Sequence, residues 1–310
     1  MAHRNETILK EFILQGFSVP NKGRFCLFLL VLTIYVVTIT NNIFIIVIVK
    51  NERRLHKPMY FFICGLSFLE IWYPSVTVPR LLWTLLTKVA SISIVGCLIQ
   101  YYFHFAFGTI ENFYLAIMAY DRYVAVCHPL RYLLILRPQV CLTLLLVSWI
   151  SGCIITASSV LQISSLSFCA HGFIDSYYCD FAPLIRLSCS ETSSIEKQFF
   201  ALASLVMFGC FFTIMVSYAC IIRTTMAFPT SSGRRKTFST CASHLIVVLL
   251  FYGTTMFMFV RTTAGDFIYV NKIISVVPSI VTPLLNPLIY TLRNKEVKDA
   301  TKKLIQVIKR

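Results

Sequence analysis

Long apolar stretches separated by short polar segments dominate the hydrophobicity pattern of this sequence. Seven such stretches lie at about residues 25–49, 58–84, 95–126, 139–162, 198–222, 238–260 and 270–292. Each is longer than the roughly 18–20 residues that a helix needs to cross the hydrocarbon core of a bilayer. Backbone polar groups in lipid have to be satisfied within the segment, so spans of this kind fold as helices. The pattern therefore predicts an all-α membrane protein, a bundle of seven transmembrane helices.

The composition argues against a soluble globular protein. Of the 310 residues, 57% are hydrophobic and only 13% are charged, whereas soluble domains carry about 25% charged residues. So little charge cannot cover a globule with a polar surface. Lipid is therefore expected to be the solvent for much of the chain.

The net charge of +15 is concentrated on one side of the predicted bundle. With the N-terminus outside, the cytoplasmic segments hold 18 Lys and Arg residues and the outer segments hold 9. The positive-inside rule therefore predicts an extracellular tail over 1–24, a receptor domain over 25–292 and a cytoplasmic tail over 293–310. The basic charge then belongs to the inner membrane surface and implies no nucleic acid.

The two ends of the chain carry further signals. Asn5 begins an Asn-Glu-Thr glycosylation sequon in the predicted outer tail. Near the other end, Val297, Ala300, Leu304 and Ile308 recur at helical spacing between lysines. This spacing predicts an amphipathic helix on the anionic inner leaflet of the membrane. A frayed basic tail is the alternative.

Four of the twelve cysteines fall in predicted outer loops: Cys97, Cys169, Cys179 and Cys189. An even number in the oxidising compartment is typical of disulfides, and four cysteines allow three connectivities. Cys97 begins the third span and has to reach the long loop, so we favour Cys97–Cys179 with Cys169–Cys189. The other eight are expected to be reduced packing residues rather than metal ligands.

Several motifs lie at defined ends of these spans. Residues 118–127 (MAYDRYVAVC) place an Asp-Arg pair at the inner end of the third span, where charge is costly unless it is paired or functional. Residues 283–294 (PLLNPLIYTLRN) place an Asn-Pro pair in the seventh span, and the asparagine can satisfy groups that the proline leaves unpaired. Three further motifs are residues 55–62 (LHKPMYFF), 217–218 (SY) and 237–245 (TFSTCASHL).

Together these motifs resemble the odorant receptors of the tetrapod (class II) type, a branch of the rhodopsin-like G-protein-coupled receptors. The resemblance covers nearly the whole chain. It implies a receptor, not an enzyme, that binds a small volatile ligand and activates the stimulatory olfactory G protein to raise cyclic AMP. It also implies a plasma membrane location in the cilia of olfactory neurons. The residues that it assigns to G-protein coupling and switching are Asp121, Arg122, Tyr123, Tyr218, Asn286, Pro287 and Tyr290.

Two acidic residues lie well inside the predicted spans, Glu70 in the second and Glu111 in the third. A carboxylate at mid-membrane is costly unless it is protonated, paired or bound to a cation. In related receptors the position of Glu70 belongs to a sodium site that stabilises the inactive state. We therefore hypothesise that Glu70 and Glu111 share one Na⁺ or one proton, with no other cofactor. The alternative is a polar network with Asn42 and Asn286 that holds no ion.

By family geometry the ligand cavity is expected to open to the outside, between the third, fifth, sixth and seventh spans. Helical spacing places the chosen residues of the third span on one inward face. The predicted lining residues are His104, Phe105, Gly108, Thr109, Leu202, Ala203, Val206, Tyr252, Thr255, Phe259, Val276 and Ser279. This set is mostly apolar and contains no carboxylate, which favours a small, weakly polar volatile over a biogenic amine. For each residue the alternative is a purely structural role in helix packing.

Three other functions compete with an odorant receptor. A transporter typically shows internal repeats, and the sequence has no repeat at half-length. A membrane enzyme needs a nucleophile or a metal constellation, and none has convincing spacing. A rhodopsin-like receptor for a non-odorant metabolite would carry the same motifs, and tissue expression would separate that case.

Overall fold

In the computed structural model of the chain, the described residues are 9, 11–17, 19–168, 172–227, 231–261, 268–293 and 295–308. Their side chains are described except at 231–233, 235–240, 243, 260–261, 268, 290–293, 295 and 304–308. Asn5 of the predicted sequon and Cys169 of the predicted second disulfide lie outside the described residues.

Seven helical segments form a bundle, and each contains one of the predicted spans. The helices are α1 (Asn21–Asn51), α2 (Pro58–Thr87), α3 (Ile94–Cys127), α4 (Tyr132–Ile135), α5 (Pro138–Ser164), α6 (Phe181–Arg186), α7 (Ser193–Met226), α8 (Ser231–Arg261), α9 (Ile268–Ile274), α10 (Thr282–Arg293) and α11 (Lys295–Ile308). The seventh segment comprises α9, a π-helical turn at Val277–Val281 and α10. The short helices α4, α6 and α11 lie outside the seven segments.

Five of the seven segments are long and apolar enough to cross a membrane by length and composition. The other two are α3, which carries buried polar side chains including Gln100 and Glu111, and α8, whose apolar part is His244–Phe259. Large apolar side chains point away from the bundle; Leu205 of α7, for example, is 72% exposed. Such a surface is costly in water and suits lipid. The chain is therefore a helical membrane protein, as predicted.

Local sequence signals account for where several helices begin. Pro58 and Pro138 occupy the first positions of α2 and α5, where a missing backbone N–H costs nothing. The Ser93 hydroxyl caps α3 by accepting a hydrogen bond from the Gly96 amide at 3.1 Å.

The central helix α3 packs against α2, α5, α7 and α8. Its contact with α5 is close because Gly152 of α5 faces Ile110. A Cβ atom at Gly152 would lie 2.5 Å from the Ile110 side chain and 3.2 Å from the backbone oxygen of Ala106. Small residues allow this close approach between helices in a membrane bundle.

A three-stranded sheet covers one end of the bundle, which we call the sheet end. Strand β1 (Glu11–Leu14) pairs antiparallel with β2 (Ala90–Ser93) and parallel with β3 (Phe173–Ile174). Phe12 and Leu14 of β1 are fully buried. Part of the segment predicted as a polar N-terminal tail is therefore a strand, and the all-α prediction missed this small sheet.

Covalent and ionic links hold the loop between α5 and α7 to the sheet end. Cys97 and Cys179 form a disulfide, which confirms the favoured pairing. Cys189 is also disulfide-bonded; its predicted pairing with Cys169 stays a prediction. Lys272 of α9, which is buried, forms a salt bridge with Asp175 of the loop.

Helix α11 lies against the other end of the bundle, which we call the tail end. The Glu296 carboxylate accepts hydrogen bonds from Lys57 Nζ at 2.6 Å and from the Tyr60 hydroxyl at 2.9 Å. The lysine contact holds the pKa of Glu296 below its usual value. Val297 and Ala300 are buried, so the apolar face of this helix packs on the protein at those positions. The predicted tail helix is present; the side chains of Leu304 and Ile308 lie outside the described set.

Candidate ligand cavity and tail-end residues

A cavity of about 220 Å³ lies within the helix bundle near the sheet end. Its walls come from α2, α3, α5, α7, α8 and the seventh segment, and the loop between α5 and α7 covers it. Aromatic side chains make up much of the wall: Tyr73, Tyr101, His104, Phe105, Tyr178, Phe181, Phe199, Phe251 and Phe259. The cavity is therefore mostly apolar with scattered polar groups, as small-molecule sites generally are.

Nine of the twelve residues predicted to line a cavity are found on its wall. They are His104, Phe105, Gly108, Thr109, Leu202, Ala203, Val206, Thr255 and Phe259. On α3 they continue a single face that also carries Tyr101 and Asn112, at the spacing of successive helical turns. Helical periodicity was enough to place this face.

The structure places the other three predicted residues, Tyr252, Val276 and Ser279, away from the cavity wall. Tyr252 is buried against Phe211, because α8 turns Phe251 and Thr255 to the cavity instead. One residue corresponds to about 100° around a helix, so an offset of one position redirects a side chain.

The seventh segment shows the same offset. Asn271, Ser275 and Pro278 line the cavity, whereas Ser279 shares a hydrogen bond of 2.8 Å with the Tyr177 hydroxyl outside it. Val276 packs in an apolar cluster near the sheet end. The π-helical turn at Val277–Val281 changes the helical register here, and hydrophobic periodicity does not reveal such a turn.

The prediction missed a second group of wall residues, contributed by α2, α5 and the loop. They are Tyr73, Ile155, Thr156, Ser159, Tyr178, Asp180, Phe181 and Ala182. The disulfide was the available signal for the loop residues, because a cysteine tied to the start of α3 brings its neighbours to the same place.

Asp180 corrects the prediction that the cavity has no carboxylate. Its Oδ1 atom accepts a hydrogen bond of 2.8 Å from the Phe181 amide and caps α6. The preceding Cys179 amide donates to the Gln100 side chain at 3.0 Å, which fixes the backbone against α3. Burial raises the pKa of Asp180 to about 6, and the hydrogen bond from Phe181 partly offsets this increase.

His104 is the most enclosed polar residue among the predicted ligand contacts that lie on the cavity wall. Its side chain is 7% exposed and its ring lies 4.3 Å from that of Tyr178 and 5.2 Å from that of Tyr73, measured between centroids. The ring nitrogen Nδ1 has no hydrogen-bond partner among the described residues. A buried polar atom of this kind is costly unless something in the cavity satisfies it.

Glu70 and Glu111 are both fully buried in the middle of the bundle. Asn286 donates a hydrogen bond to Glu70 Oε1 and lies close to Glu111. Within the described part of the chain, Glu70 Oε2, both Glu111 carboxylate oxygens and the side-chain oxygens of Asn42 and Asn286 have no hydrogen-bond partner. This surplus of oxygen acceptors fits a hard cation such as Na⁺, which takes oxygen ligands, or a proton on one carboxyl group.

Three of the residues assigned to G-protein coupling lie where α3 ends, at the tail end. Asp121 accepts a hydrogen bond of 2.7 Å from the Tyr132 hydroxyl, and Arg122 is half-buried. Tyr123 shares a hydrogen bond of 3.1 Å with His128. The salt bridges found among the described side chains do not include Arg122.

The remaining residues of this group lie on α7 and α10. The Tyr218 hydroxyl of α7 lies 2.8 Å from His244 Nδ1 of α8. Pro287 falls inside α10, and the side chain of Tyr290 lies outside the described set.

A family model described as "Olfactory receptor" matches residues 31–307 of the chain. The chain belongs to the olfactory receptor family. The receptor is 43% identical over 303 residues to olfactory receptor 11H6 of Homo sapiens, covering 98% of this chain and 92% of that protein. It is 46% identical over 304 residues to olfactory receptor 6B1 of Homo sapiens, covering 98% and 97%, and 46% identical over 295 residues to olfactory receptor 287 of Rattus norvegicus, covering 95% of each chain.

Family membership removes two of the three functions that compete with an odorant receptor. The receptor is a G-protein-coupled receptor and not an enzyme or a transporter. The ligand class and the coupling partner of this particular receptor are the subject of the proposals below.

Proposed function

We propose that the receptor binds small volatile molecules in the cavity near the sheet end. The observation that carries this proposal is the mostly apolar space of about 220 Å³ within the helix bundle. An apolar cavity of about 150 Å³ holds a benzene molecule, so this one has room for about nine non-hydrogen atoms. Burial of each CH₂ group contributes about 0.8 kcal/mol, so such ligands bind with modest affinity.

The proposal includes an orientation in the plasma membrane, with the sheet end outside and the tail end in the cytoplasm. The twofold excess of Lys and Arg in the segments at the tail end supports it. The disulfide between Cys97 and Cys179 at the sheet end also supports it, because disulfides persist in oxidising compartments. Volatile ligands then reach the cavity from the outside, in the membrane of olfactory cilia.

Signalling in this proposal is a population shift between two arrangements of the tail end. Ligand in the cavity contacts Thr255 and Phe259 of α8 and favours a state in which the other end of α8 has moved outward. That movement separates Tyr218 of α7 from α8, where its hydroxyl bonds His244 Nδ1 and the Cys241 carbonyl. Arg122 then contacts a stimulatory olfactory G protein, which raises cyclic AMP.

A cyclic-AMP reporter assay tests the proposal in cells whose surface expression is measured by flow cytometry. A panel of volatiles with up to about nine non-hydrogen atoms should include at least one that gives a dose-dependent response, and Arg122→Ala should abolish it at equal surface abundance. Silence of the surface-expressed receptor across the panel would contradict the proposed ligand class and favour a non-odorant metabolite. A response that survives in Arg122→Ala would contradict the proposed coupling.

We propose further that Glu70 and Glu111 hold one Na⁺ that stabilises the inactive arrangement. The unpaired oxygens around the two carboxylates support it, since a cation would satisfy several of them at once. Activation curves in sodium and in choline buffer test it: sodium should shift the curve of the wild type to higher agonist concentration. Equal curves would favour the polar network without an ion, and Glu70→Gln should remove any sodium shift.

A further inference from the structure

Asp180 is an acidic side chain on the wall of a mostly apolar cavity. It follows Cys179 directly, so the disulfide to Cys97 fixes it above the first turns of α3. The salt bridges among the described side chains leave Asp180 without a cationic partner. Among the described residues it accepts a hydrogen bond from the Phe181 amide at Oδ1, which leaves Oδ2 for another partner. An ionised carboxylate in such a place is costly unless a positive group comes to it.

Other polar groups on the wall also lack a partner, and the Tyr101 hydroxyl is one of them among the described residues. His104 Nδ1, Asn112 Oδ1 and Asn271 Oδ1 have no hydrogen-bond partner among the described residues. The Asn112 amide nitrogen donates to the Gly108 carbonyl at 2.9 Å, which fixes its oxygen as the free end. The two amide oxygens are acceptors, so a hydrocarbon ligand would leave them unsatisfied, whereas a ligand with N–H groups donates to whichever of them it reaches.

The aromatic part of the wall also suits a cation. The rings of Tyr73, His104 and Tyr178 pack together, and Phe181 stacks on Phe199 at 3.8 Å between centroids. The faces of tyrosine and phenylalanine rings attract ammonium groups by cation–π interaction.

We infer that the cavity binds protonated primary amines, with the ammonium group on Asp180 and the hydrocarbon part among the aromatic side chains. This inference rests on the proposed ligand cavity and specifies its ligand class. It reverses the expectation from sequence of a neutral, weakly polar ligand, because that expectation assumed a wall without a carboxylate. The volume limits the ligand to about nine non-hydrogen atoms.

The test compares ligands that differ only in the charged group. Three amine and alcohol pairs of similar shape serve as probes: 2-phenylethylamine with 2-phenylethanol, cyclohexylmethylamine with cyclohexylmethanol, and 3-methylbutylamine with 3-methylbutanol. Binding is measured by the thermal stabilisation of the full-length receptor in lipid nanodiscs, which does not depend on any G protein. At least one amine should bind about tenfold or more tightly than its alcohol.

Variants of the carboxylate separate ligand binding from helix capping. Asn caps a helix about as well as Asp, so Asp180→Asn retains the cap of α6 and loses the charge. It should weaken the amine by about tenfold or more and leave the alcohol within about threefold, whereas Asp180→Glu should retain most of the amine affinity. The exposed Glu191 of the same loop provides a control of equal charge change, and Glu191→Gln should behave as the wild type.

Each outcome has a definite meaning. If no amine binds more tightly than its alcohol to the wild type, or if Asp180→Asn weakens both ligands equally, the inference is overturned and Asp180 is a helix cap. If the alcohols bind and the amines do not, the cavity stands and only the amine inference falls. If the amines bind through Asp180 but no cyclic AMP is produced, the inference stands and the proposed coupling falls. If none of the six probes binds, both the cavity and the inference are overturned.

Discussion

Reducing the cavity volume by a single substitution should change which ligands the receptor accepts. Ala203 lies on the cavity wall in the first half of α7 and is half-buried. Ala203→Leu adds three non-hydrogen atoms, each occupying about as much space as a water molecule, roughly 30 Å³. About 90 of the 220 Å³ would then be filled, and the remaining 130 Å³ is less than the roughly 150 Å³ that holds benzene.

The expected effect depends on the size of the ligand. Ligands of about nine non-hydrogen atoms would have to displace wall side chains, and overpacking of this kind costs about 1–3 kcal/mol. Their half-maximal concentration in the cyclic-AMP assay should therefore rise by about tenfold or more. Ligands of about five non-hydrogen atoms still fit and should change by less than about threefold.

A matched variant on the same helix controls for effects on folding and insertion. Ala201 lies two positions earlier, on the exposed side of α7, so Ala201→Leu adds the same atoms on the outside of the bundle. It should respond as the wild type to ligands of both sizes. An equal loss of potency for small and large ligands in Ala203→Leu, or the same loss in Ala201→Leu, would refute the assignment of this cavity as the ligand site.

Three further predictions concern pH, helix packing and the tail. Because the pKa of Asp180 is raised to about 6, its carboxylate is mostly ionised at pH 7.5 and mostly protonated at pH 5.5. The apparent affinity for an amine should therefore fall about fourfold from pH 7.5 to pH 5.5, while the affinity for an alcohol stays constant. An unchanged amine affinity would contradict the contact between the amine and Asp180. Gly152→Ala should lower the thermal unfolding midpoint of the purified receptor, since overpacking costs about 1–3 kcal/mol. Gly209→Ala should not lower it, because the added Cβ meets nothing within 4 Å. Equal midpoints for the two variants would contradict the close packing of α3 and α5. Glu296→Gln removes the ion pair with Lys57, in which both side chains are about half exposed, so the free energy of unfolding should fall by at most about 1 kcal/mol. Hydrogen exchange should show faster opening of α11 alone. Unchanged exchange would mean that the apolar face of α11 holds this helix by itself.

The seven membrane segments could be predicted from the sequence because their cause is local. A segment in lipid has to satisfy its own backbone groups and present apolar side chains, and both properties can be read from about twenty consecutive residues. The same local reasoning found the inward face of α3, since His104, Gly108 and Thr109 follow helical spacing on a straight helix.

Predictions that depend on helix rotation were less accurate. On α8 the predicted Tyr252 proved to be a packing residue, and on the seventh segment Val276 and Ser279 lie away from the cavity. The rotation of a helix about its axis is set by its neighbours, and the π-helical turn shifts the register by part of a turn. Hydrophobicity hardly constrains this rotation, because lipid and the cavity are both apolar.

The sequence by itself determined the family, the number of spans, the charge asymmetry and the residues of the Asp-Arg-Tyr and Asn-Pro motifs. Only the tertiary structure decided that Asp180, far from the predicted lining in sequence, lies on the cavity wall. The loop that carries it has no periodic pattern, and its path is set by the disulfide to Cys97 and by the sheet with β1, which are contacts between residues distant in the chain. Local hydrophobicity fixes a membrane span, whereas the position of a loop side chain depends on long-range contacts that only the folded chain contains.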